Sequence, residues 1–575
     1  MDHLSAEQRY RLWLQKTVEQ PSLHSELQQI GGNDEQIYER FYRDLTFGTA
    51  GLRGLIGAGT NRMNVYTVGV ATQGLADYLN AQGPGACVAI AYDSRIKSDV
   101  FARHAACVLA ANGIAVHLFD QLMPTPTLSF AVRQLGCRAG IVITASHNPA
   151  AYNGYKCYGA DGCQMTEQAA EQVMDRICRL DIFEDVRTMP YQQAIDGGLV
   201  RLIPQTLVDQ YLDRVAAQQI HPDICREIPL HVVYTPLHGA GNKPVRAVLD
   251  RIGVQQVSVV AEQEQPDGNF PTAPYPNPET REAFACALEM AQTLHPDLLI
   301  ATDPDSDRMG AAVPDEEGYT LLTGNEIGCL LLEYILSGRK AQGRLPVHPV
   351  TVKSIVTSDL AARIAEAYGC ACIETLTGFK YIGEQIGLLE EKGEQERFQF
   401  GFEESHGYLS GTYVRDKDGV VAAMLLCEAA AFYKKQGLTL LQQLHQLYRS
   451  YGVFRHTVVN KQFEGAQGME QMKRITCSLR QNPPRKLAGL DVLGCDDYLQ
   501  RVRLDAQGRV SEKITLPVSD VLVFRLQNGA SIVVRPSGTE PKIKAYLTAV
   551  APTVPQADEM IEQLRQQATQ LLVSE

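Results

Sequence analysis

Four short segments of this 575-residue chain hold residue types that do chemistry when they act together. Thr144-Ala145-Ser146-His147-Asn148-Pro149 places a serine in a loop. Asp303-Pro304-Asp305-Ser306-Asp307-Arg308 alternates three carboxylates and ends on an arginine. Gly401-Phe402-Glu403-Glu404-Ser405-His406-Gly407 carries an acidic pair. Arg535-Pro536-Ser537-Gly538-Thr539-Glu540-Pro541-Lys542 sets an arginine beside small residues whose amides can wrap an anion. A hydroxyl, a cluster suited to a hard cation, a hydroxyl-binding acidic pair and an anion cradle are the parts that phosphoryl transfer on a sugar needs. No one of them is informative alone.

Ser146 follows a β-branched run, and Asn148-Pro149 stops the strand and holds a turn. A serine there can be phosphorylated or can attack an electrophile; a turn serine bonded to local amides would look the same. GxSxG is absent, so a Ser-His-Asp hydrolase is not signalled. The alternating aspartates suit Mg²⁺, which takes oxygen ligands. An EF-hand is excluded, because the sixth loop position is Arg308 rather than glycine and the twelfth is Pro314 rather than glutamate. Carboxylates this close repel one another unless something compensates. That favours a metal over a solvated acidic turn, with Arg308 placed to reach a phosphoryl oxygen beside it. Glu403-Glu404 suits sugar hydroxyls, with an exposed acidic turn equally open. Lys417, in Arg415-Asp416-Lys417-Asp418-Gly419, is a candidate acid/base, with a surface ion-pair cluster as the alternative. The Arg535 segment is not a Walker A loop, since GxxxxGK[ST] is absent.

These loops need scaffolds. Residues 86–92, 114–119 and 140–144 read as buried parallel strands between helical stretches, the last ending at the serine loop. Residues 230–234, 257–261 and 298–301 repeat the pattern before the aspartate loop, and 350–355 and 398–401 mark a third unit ending at Glu403. Ligands of open parallel sheets sit at the carboxyl ends of strands, so three loops are expected to face one cleft. Residues 520–526 and 530–534 predict a hairpin about Asn528-Gly529. The Arg535 loop, a strand over 543–547 and a helix from about Gln556 complete a smaller α+β domain. Residues 5–18 predict a helix with a Ser5/Gln8 capping box and no chemistry.

The length predicts about four domains. The expected divisions are a helical extension over 1–43, a serine-loop domain over 44–205, a metal-loop domain over 206–325, a sugar-loop domain over 326–455 and a phosphate-loop domain over 456–575. Hydrophobic residues at 45% and charged residues at 21% fit a globular protein. A net charge of −13 argues against a nucleic-acid partner and an anionic membrane surface. No apolar run approaches the ~20 residues that span a bilayer, and the first residues are too polar for a signal peptide. The 14 cysteines are scattered with no CxxC pair, the pattern of reduced thiols in a cytoplasmic protein. The oligomeric state is left open.

Taken in order, the four motifs resemble the α-D-phosphohexomutase superfamily from about Asp44 to the C-terminus, and within it the phosphoglucomutase branch. The resemblance implies an α/β fold. It has three doubly wound αβ domains with mixed sheets and a smaller C-terminal α+β domain, in a heart shape around a central cleft. It implies that Ser146 is the phosphoserine, with His147 beside it in the catalytic set. Asp303, Asp305 and Asp307, with a phosphate oxygen on Ser146, match the Mg²⁺ ligands, and Arg308 lies at the substrate. Glu403 and Ser405 match sugar contacts, and Thr377-Gly378-Phe379-Lys380 matches the loop that distinguishes two sugar orientations. Arg535, Ser537, Gly538 and Thr539 match the site for the non-reacting phosphate. Gly48-Thr49-Ala50-Gly51-Leu52-Arg53-Gly54 matches a loop that brings Arg53 near the phosphoserine. Lys156, in Asn153-Gly154-Tyr155-Lys156, and Lys417 match positions for proton transfer. One departure is His406-Gly407, where phosphomannomutase relatives often read Gly-His; it weakens a mannose reading and leaves His406 without that histidine's role.

The implied reaction is reversible conversion of α-D-glucose 1-phosphate to glucose 6-phosphate, with glucose 1,6-bisphosphate as intermediate and activator. A phosphopentomutase using ribose or deoxyribose 1-phosphate, a glucose 1,6-bisphosphate synthase, a metal-dependent phosphatase and a non-catalytic phosphosugar-binding scaffold remain as alternatives. Ser146 together with three aspartates argues against the scaffold, because binding alone needs no phosphoryl carrier.

Overall fold

The apolar runs that precede the chemical loops all form strands in the computed structural model, which describes residues 4–48, 51–463, 465–537 and 542–572. The chain divides into two compact units, Met1–Ile327 with Ile382–Thr439, and Gly328–Tyr381 with Leu440–Glu575.

The first unit holds two mixed sheets. In one, β1 (Gly51–Leu55), β2 (Cys87–Tyr92), β3 (Ala115–Leu118), β4 (Ala139–Ile143), β5 (Tyr152–Gly159) and β6 (Val200–Leu202) lie in the order β1-β5-β4-β2-β3-β6. Strands β4, β2, β3 and β6 are parallel, while β5 joins β4 and β1 joins β5 antiparallel. Val88, Ile90 and Ile141 pack with Leu75, Leu79, Phe101 and Leu109 of helices Val65–Ala81 and Ser98–Ala111. Each such side chain contributes about 1.5–3 kcal/mol on burial, so the strand ends form a rigid platform. The second sheet runs β11-β10-β9-β7-β8, from β7 (His231–Thr235), β8 (Gln256–Val259), β9 (Leu298–Thr302), β10 (Met309–Asp315) and β11 (Gly318–Leu322). Here β8, β7 and β9 are parallel, and β10 and β11 are antiparallel. The strand predicted over 257–261 stops at Val259, because Ala261–Glu264 turns helical.

Residues Phe398–Glu403 and Gly407–Leu409 pair antiparallel, leaving 404–406 as the turn. A bridge between Arg308 and Gly407 ties this turn to the aspartate loop, as does the Met309 amide donating to the His406 carbonyl at 3.1 Å. His406 thus acts as a backbone joint. The N-terminal helix covers Ala6–Lys16 and carries the Ser5/Gln8 capping box. Two further helices, Pro21–Gln29 and Asp34–Phe41, follow it, and Trp13 packs edge-on against Phe41, Tyr66 and Phe183.

In the second unit Val350–Ser354 pairs in parallel with Ala371–Thr375. An antiparallel sheet places Val453–Gln462, Lys542–Ala551, Ser531–Pro536, Leu522–Leu526, Leu490–Asp497, Val502–Asp505 and Val510–Lys513 side by side. The expected hairpin is present, with Asn528 and Gly529 at φ 61° and 80° in its turn. All 14 cysteines are free. Among the described residues, no helix is long and apolar enough to cross a membrane.

Candidate active site

The serine loop is built from beneath. Thr144 follows β4; its hydroxyl donates to Asp93 Oδ2 at 2.6 Å and accepts the Ser146 amide at 2.8 Å. Arg95, buried in the turn after β2, donates to the carbonyls of Pro149 at 3.0 Å, of Tyr152 at 3.1 Å, and of Ser146 and Asn148. This scaffold holds Ser146 at φ 51°, a left-handed conformation that a serine adopts only when its surroundings impose it. Strand β5 passes so close that a Cβ on Gly154 would lie 2.4 Å from the Thr144 carbonyl oxygen, which is why glycine follows Asn153.

The aspartate loop leaves β9 and meets that serine. Ser146 Oγ donates to Asp303 Oδ2 at 2.7 Å, and the Arg308 amide donates to Asp303 Oδ1 at 3.0 Å. Asp305 Oδ2 accepts from the Thr125 hydroxyl and from Lys156 Nζ, both at 2.8 Å. Asp307 Oδ2 lies 3.4 Å from Lys156 Nζ and 3.1 Å from Lys417 Nζ. Lys417 reaches there by crossing Gly407, where a Cβ would lie 2.2 Å from Lys417 Cδ. One oxygen from each aspartate lies within 4.8 Å of the others, and Asp305 Oδ1 and Asp307 Oδ1 are buried without a hydrogen-bond partner. Convergent oxygen donors with lone pairs to spare fit a hard cation.

The electrostatics follow from this crowding. Burial, together with Asp305 and Asp307, pushes the Asp303 carboxyl well above its ordinary range. Burial acts the same way on Asp305, but Lys156 outweighs it and holds that carboxyl low. Burial would lower both lysines; Asp305 and Asp307 raise Lys156 instead, and Asp307, Asp416 and Glu403 raise Lys417. Both are therefore ammonium ions, able to donate to an anionic oxygen.

The other expected residues fall as follows. His147 Nδ1 is 3.2 Å from Ser146 Oγ, and burial, then Arg308 and Arg53, keep the ring neutral. Arg53 is exposed and donates to Asn148 Oδ1 at 3.2 Å. Arg308 Nη1 donates to Glu279 Oε1 at 2.7 Å. Glu403 is buried, and its charge acts on both Arg308 and Lys417. Ser405 is half-buried in the turn beyond it. In the second unit, Thr377 and Gly378, the latter at φ 123°, precede a helix beginning at Phe379, and Lys380 Nζ lies 4.9 Å from the centroid of the Tyr381 ring. Arg535 lies on Ser531–Pro536, and the Ser537 amide donates to the Lys542 carbonyl at 2.7 Å. Gly538 and Thr539 lie outside the described residues, as do Thr49 and Ala50.

Residues not singled out from the motifs support the site: Asp93, Arg95, Thr125, Glu279 and Asp416, whose carboxylate accepts from the Tyr158 hydroxyl at 2.7 Å and from Lys417 Nζ at 3.1 Å. For Asp93 and Arg95 the available signal was their position directly after a buried strand. The assembled group presents a hydroxyl, an oxygen cage for a cation, and ammonium and guanidinium donors for an anion.

Residues 44–181, 209–318 and 323–451 match the alpha/beta/alpha domains I, II and III of phosphoglucomutase/phosphomannomutase, and 498–567 match its C-terminal domain. The phosphoglucomutase of Staphylococcus haemolyticus is 39% identical over 512 residues, covering 88% of this chain and 91% of the relative. That of Staphylococcus aureus strain USA300 is 38% identical over 550 residues, covering 94% and 95%. Among solved structures, the fold is shared with the Paramecium phosphoprotein pp63/parafusin in its open form, at a TM-score of 0.68, 17% identity and coverage of 92% and 95%. It is also shared with a phosphoglucomutase/phosphomannomutase family protein from Burkholderia thailandensis, at a TM-score of 0.64, 18% identity and coverage of 92% and 98%. With its motifs, its strand-end site and these likenesses in agreement, the chain belongs to the phosphoglucomutase/phosphomannomutase family.

Proposed function

We propose that this enzyme interconverts α-D-glucose 1-phosphate and glucose 6-phosphate through a phosphorylated Ser146 and a glucose 1,6-bisphosphate intermediate. The observation that carries the reading is the Ser146 hydroxyl at 2.7 Å from Asp303, at the mouth of three convergent carboxylates. The names of the Staphylococcus relatives support glucose as the sugar.

In the first half-reaction the bond from phosphorus to Ser146 Oγ breaks as a bond to the sugar O6 forms; a lysine ammonium gives its proton to Ser146 Oγ, and the proton leaving O6 restores that ammonium. The bisphosphate then turns over, and its other phosphate returns to Ser146. A phosphoserine carries about −1.5 to −2 at neutral pH. Mg²⁺ held by Asp303, Asp305 and Asp307 would neutralise charge at the transferring group. Lys156 and Lys417, held as ammonium ions, serve as acids that donate to the leaving oxygen. Neutral His147 keeps a lone pair or a proton beside Ser146. Arg308 and Arg53 stabilise the negative charge that develops, the usual main source of acceleration in such transfers. We assign the sugar hydroxyls to Glu403 and Ser405, sugar orientation to Thr377, Gly378, Phe379 and Lys380, and the non-reacting phosphate to Arg535, Ser537, Gly538 and Thr539. These assignments rest on the motifs. Free cysteines throughout support residence in a reducing, cytoplasmic compartment.

The test is purified protein with Mg²⁺, a trace of glucose 1,6-bisphosphate and glucose 1-phosphate, with glucose 6-phosphate read by coupled NADP⁺ reduction. Turnover should require the bisphosphate. In Ser146→Ala it should fall by roughly 10⁴-fold or more, the scale of losing a covalent nucleophile. A near wild-type rate in that variant would overturn the phosphoserine scheme, and faster turnover of ribose 1-phosphate would overturn the hexose assignment.

A further inference from the structure

The far end of the first sheet gathers a different set of ligands. Cys87 opens β2, His117 lies on β3 in register with Ala89, and Cys137 lies just before β4. Cys87 and His117 are two residues apart along paired strands, a diagonal relation that brings long side chains of one face together. The Arg138 amide donates to the Cys87 carbonyl at 2.9 Å, which draws Cys137 to the same place. One ligand atom from each of the three side chains lies within 4.8 Å of the others. Cys137 is buried, whereas Cys87 and His117 are part-exposed, so an ion has a route in. Among the described residues nothing hydrogen-bonds the His117 ring, while Cys87 Sγ reaches the Gly136 carbonyl at 3.7 Å and meets the Cys137 thiol.

We propose that Cys87, His117 and Cys137 form a Zn²⁺ site, with a water as the fourth ligand. Two sulfurs and an imidazole are the donor set for a tetrahedral soft-to-borderline ion. On binding, both thiols lose their protons to solvent and the two thiolates balance the ion's charge. The alternative use of such a pair is a disulfide. A disulfide needs only the two sulfurs, whereas here an imidazole converges on the same point as a third donor. The site stands at the opposite end of β4 from Ser146, with the strand between them spanning roughly 16 Å at ~3.3 Å per residue. It would fasten β2, β3 and β4 beneath the serine loop, and the hard oxygen cage after β9 and the soft sulfur site of the first sheet would sort two different metals within one compact unit.

The test uses the full chain, reduced, with saturating Mg²⁺ present to fill the aspartate site. Co²⁺ is titrated in and the thiolate-to-cobalt charge-transfer absorption is followed. A band should saturate at equimolar Co²⁺ and be displaced by Zn²⁺. Cys87→Ser should abolish it, and His117→Gln should weaken binding by more than about a hundredfold, beyond the cost of losing an outer-shell partner. Both positions are part-exposed, and the thermal midpoint of each variant without metal checks that it folds. Absence of a band in the wild type, or a band unchanged in both variants, would overturn the proposal. A Cys87–Cys137 disulfide in protein kept under reducing conditions would overturn it as well.

Discussion

Each unit buries charged side chains at the ends of its strands, and the two sets are balanced differently. In the first unit Asp303, Asp305 and Asp307 share two ammonium groups, yet Asp305 Oδ1 and Asp307 Oδ1 find no donor. The backbone there is also under tension, with Ser146 at φ 51° and Ser306 at φ 49°. In the second unit Lys353 has a side chain only 1% exposed. Its ammonium meets Asp359 Oδ1 at 2.8 Å, Glu374 Oε1 at 2.7 Å and the Thr357 carbonyl at 3.2 Å. Three N–H donors thus meet three acceptors. The first set keeps acceptors in reserve for a cation and a phosphoryl group; the second is closed and fastens a strand to its neighbours. Burial of charge does not distinguish a site from a fastening, whereas unspent hydrogen-bonding capacity does.

The largest effect that would break this contrast is on Asp303. Asp303→Asn removes a charge from a set that repels itself, and asparagine can still accept from Ser146 or from the Arg308 amide. Mutase activity should fall roughly 10³-fold, while the thermal midpoint stays within a few degrees of wild type or rises, as expected where function is held against stability. Kinetics and calorimetry on the same preparation check both halves. A midpoint lowered by about 10 °C would mean that the aspartates support the fold, and the contrast would fail.

Much of the site was legible because strand-end loops and turn chemistry are local. The run before Thr144 and the run before Asp303 are short, apolar and β-branched, and each delivers its loop where parallel-sheet logic puts it. Asn528-Gly529 announced a hairpin because few other dipeptides accept two left-handed residues. Illegible were the groups whose partners are distant in sequence. Arg95 serves carbonyls about fifty residues ahead of it, and Thr125 caps a carboxylate 180 residues away. The state of Lys417 was also hidden: its neighbours Asp307 and Asp416 hold it as an acid, and only Asp416 is adjacent in the chain. The helices Pro21–Gln29 and Asp34–Phe41 did leave signals, a proline at the first helical position and an Asn33 cap.

A second way to test the contrast lies in the closed set. Lys353→Met removes the cation and leaves Asp359 and Glu374, whose side chains are about half exposed and can take up water. The loss of stability should therefore be about 1–3 kcal/mol, below the cost of stranding fully buried charges. Turnover per folded molecule at saturating substrate should change by less than about threefold, the reverse of Asp303→Asn. Urea unfolding and steady-state kinetics read these together. An unchanged urea midpoint would show that Lys353 fastens nothing.

The smallest predicted effect sharpens what closed means. His456 lies on Val453–Gln462, bonded through Nδ1 to the Thr548 hydroxyl at 3.2 Å, while Nε2 is buried with no hydrogen-bond partner. Burial, opposed by Asp359 and reinforced by Lys353 and Arg455, pushes the ring down to about 4. An unfolded histidine titrates near ~6.5. Between those values the unfolded chain binds more protons than the folded one, so stability falls as pH drops through that window and is full above it. At about pH 5 the single ring accounts for about 2 kcal/mol of lost stability. In His456→Gln the difference in unfolding free energy between about pH 7 and pH 5 should shrink by that amount, with the other histidines contributing equally to both proteins. If the pH slope is unchanged, the ring accepts its proton in place and the surrounding charges have acceptor capacity left over. The second unit would then resemble the first, and the distinction between them would have to rest on backbone strain alone.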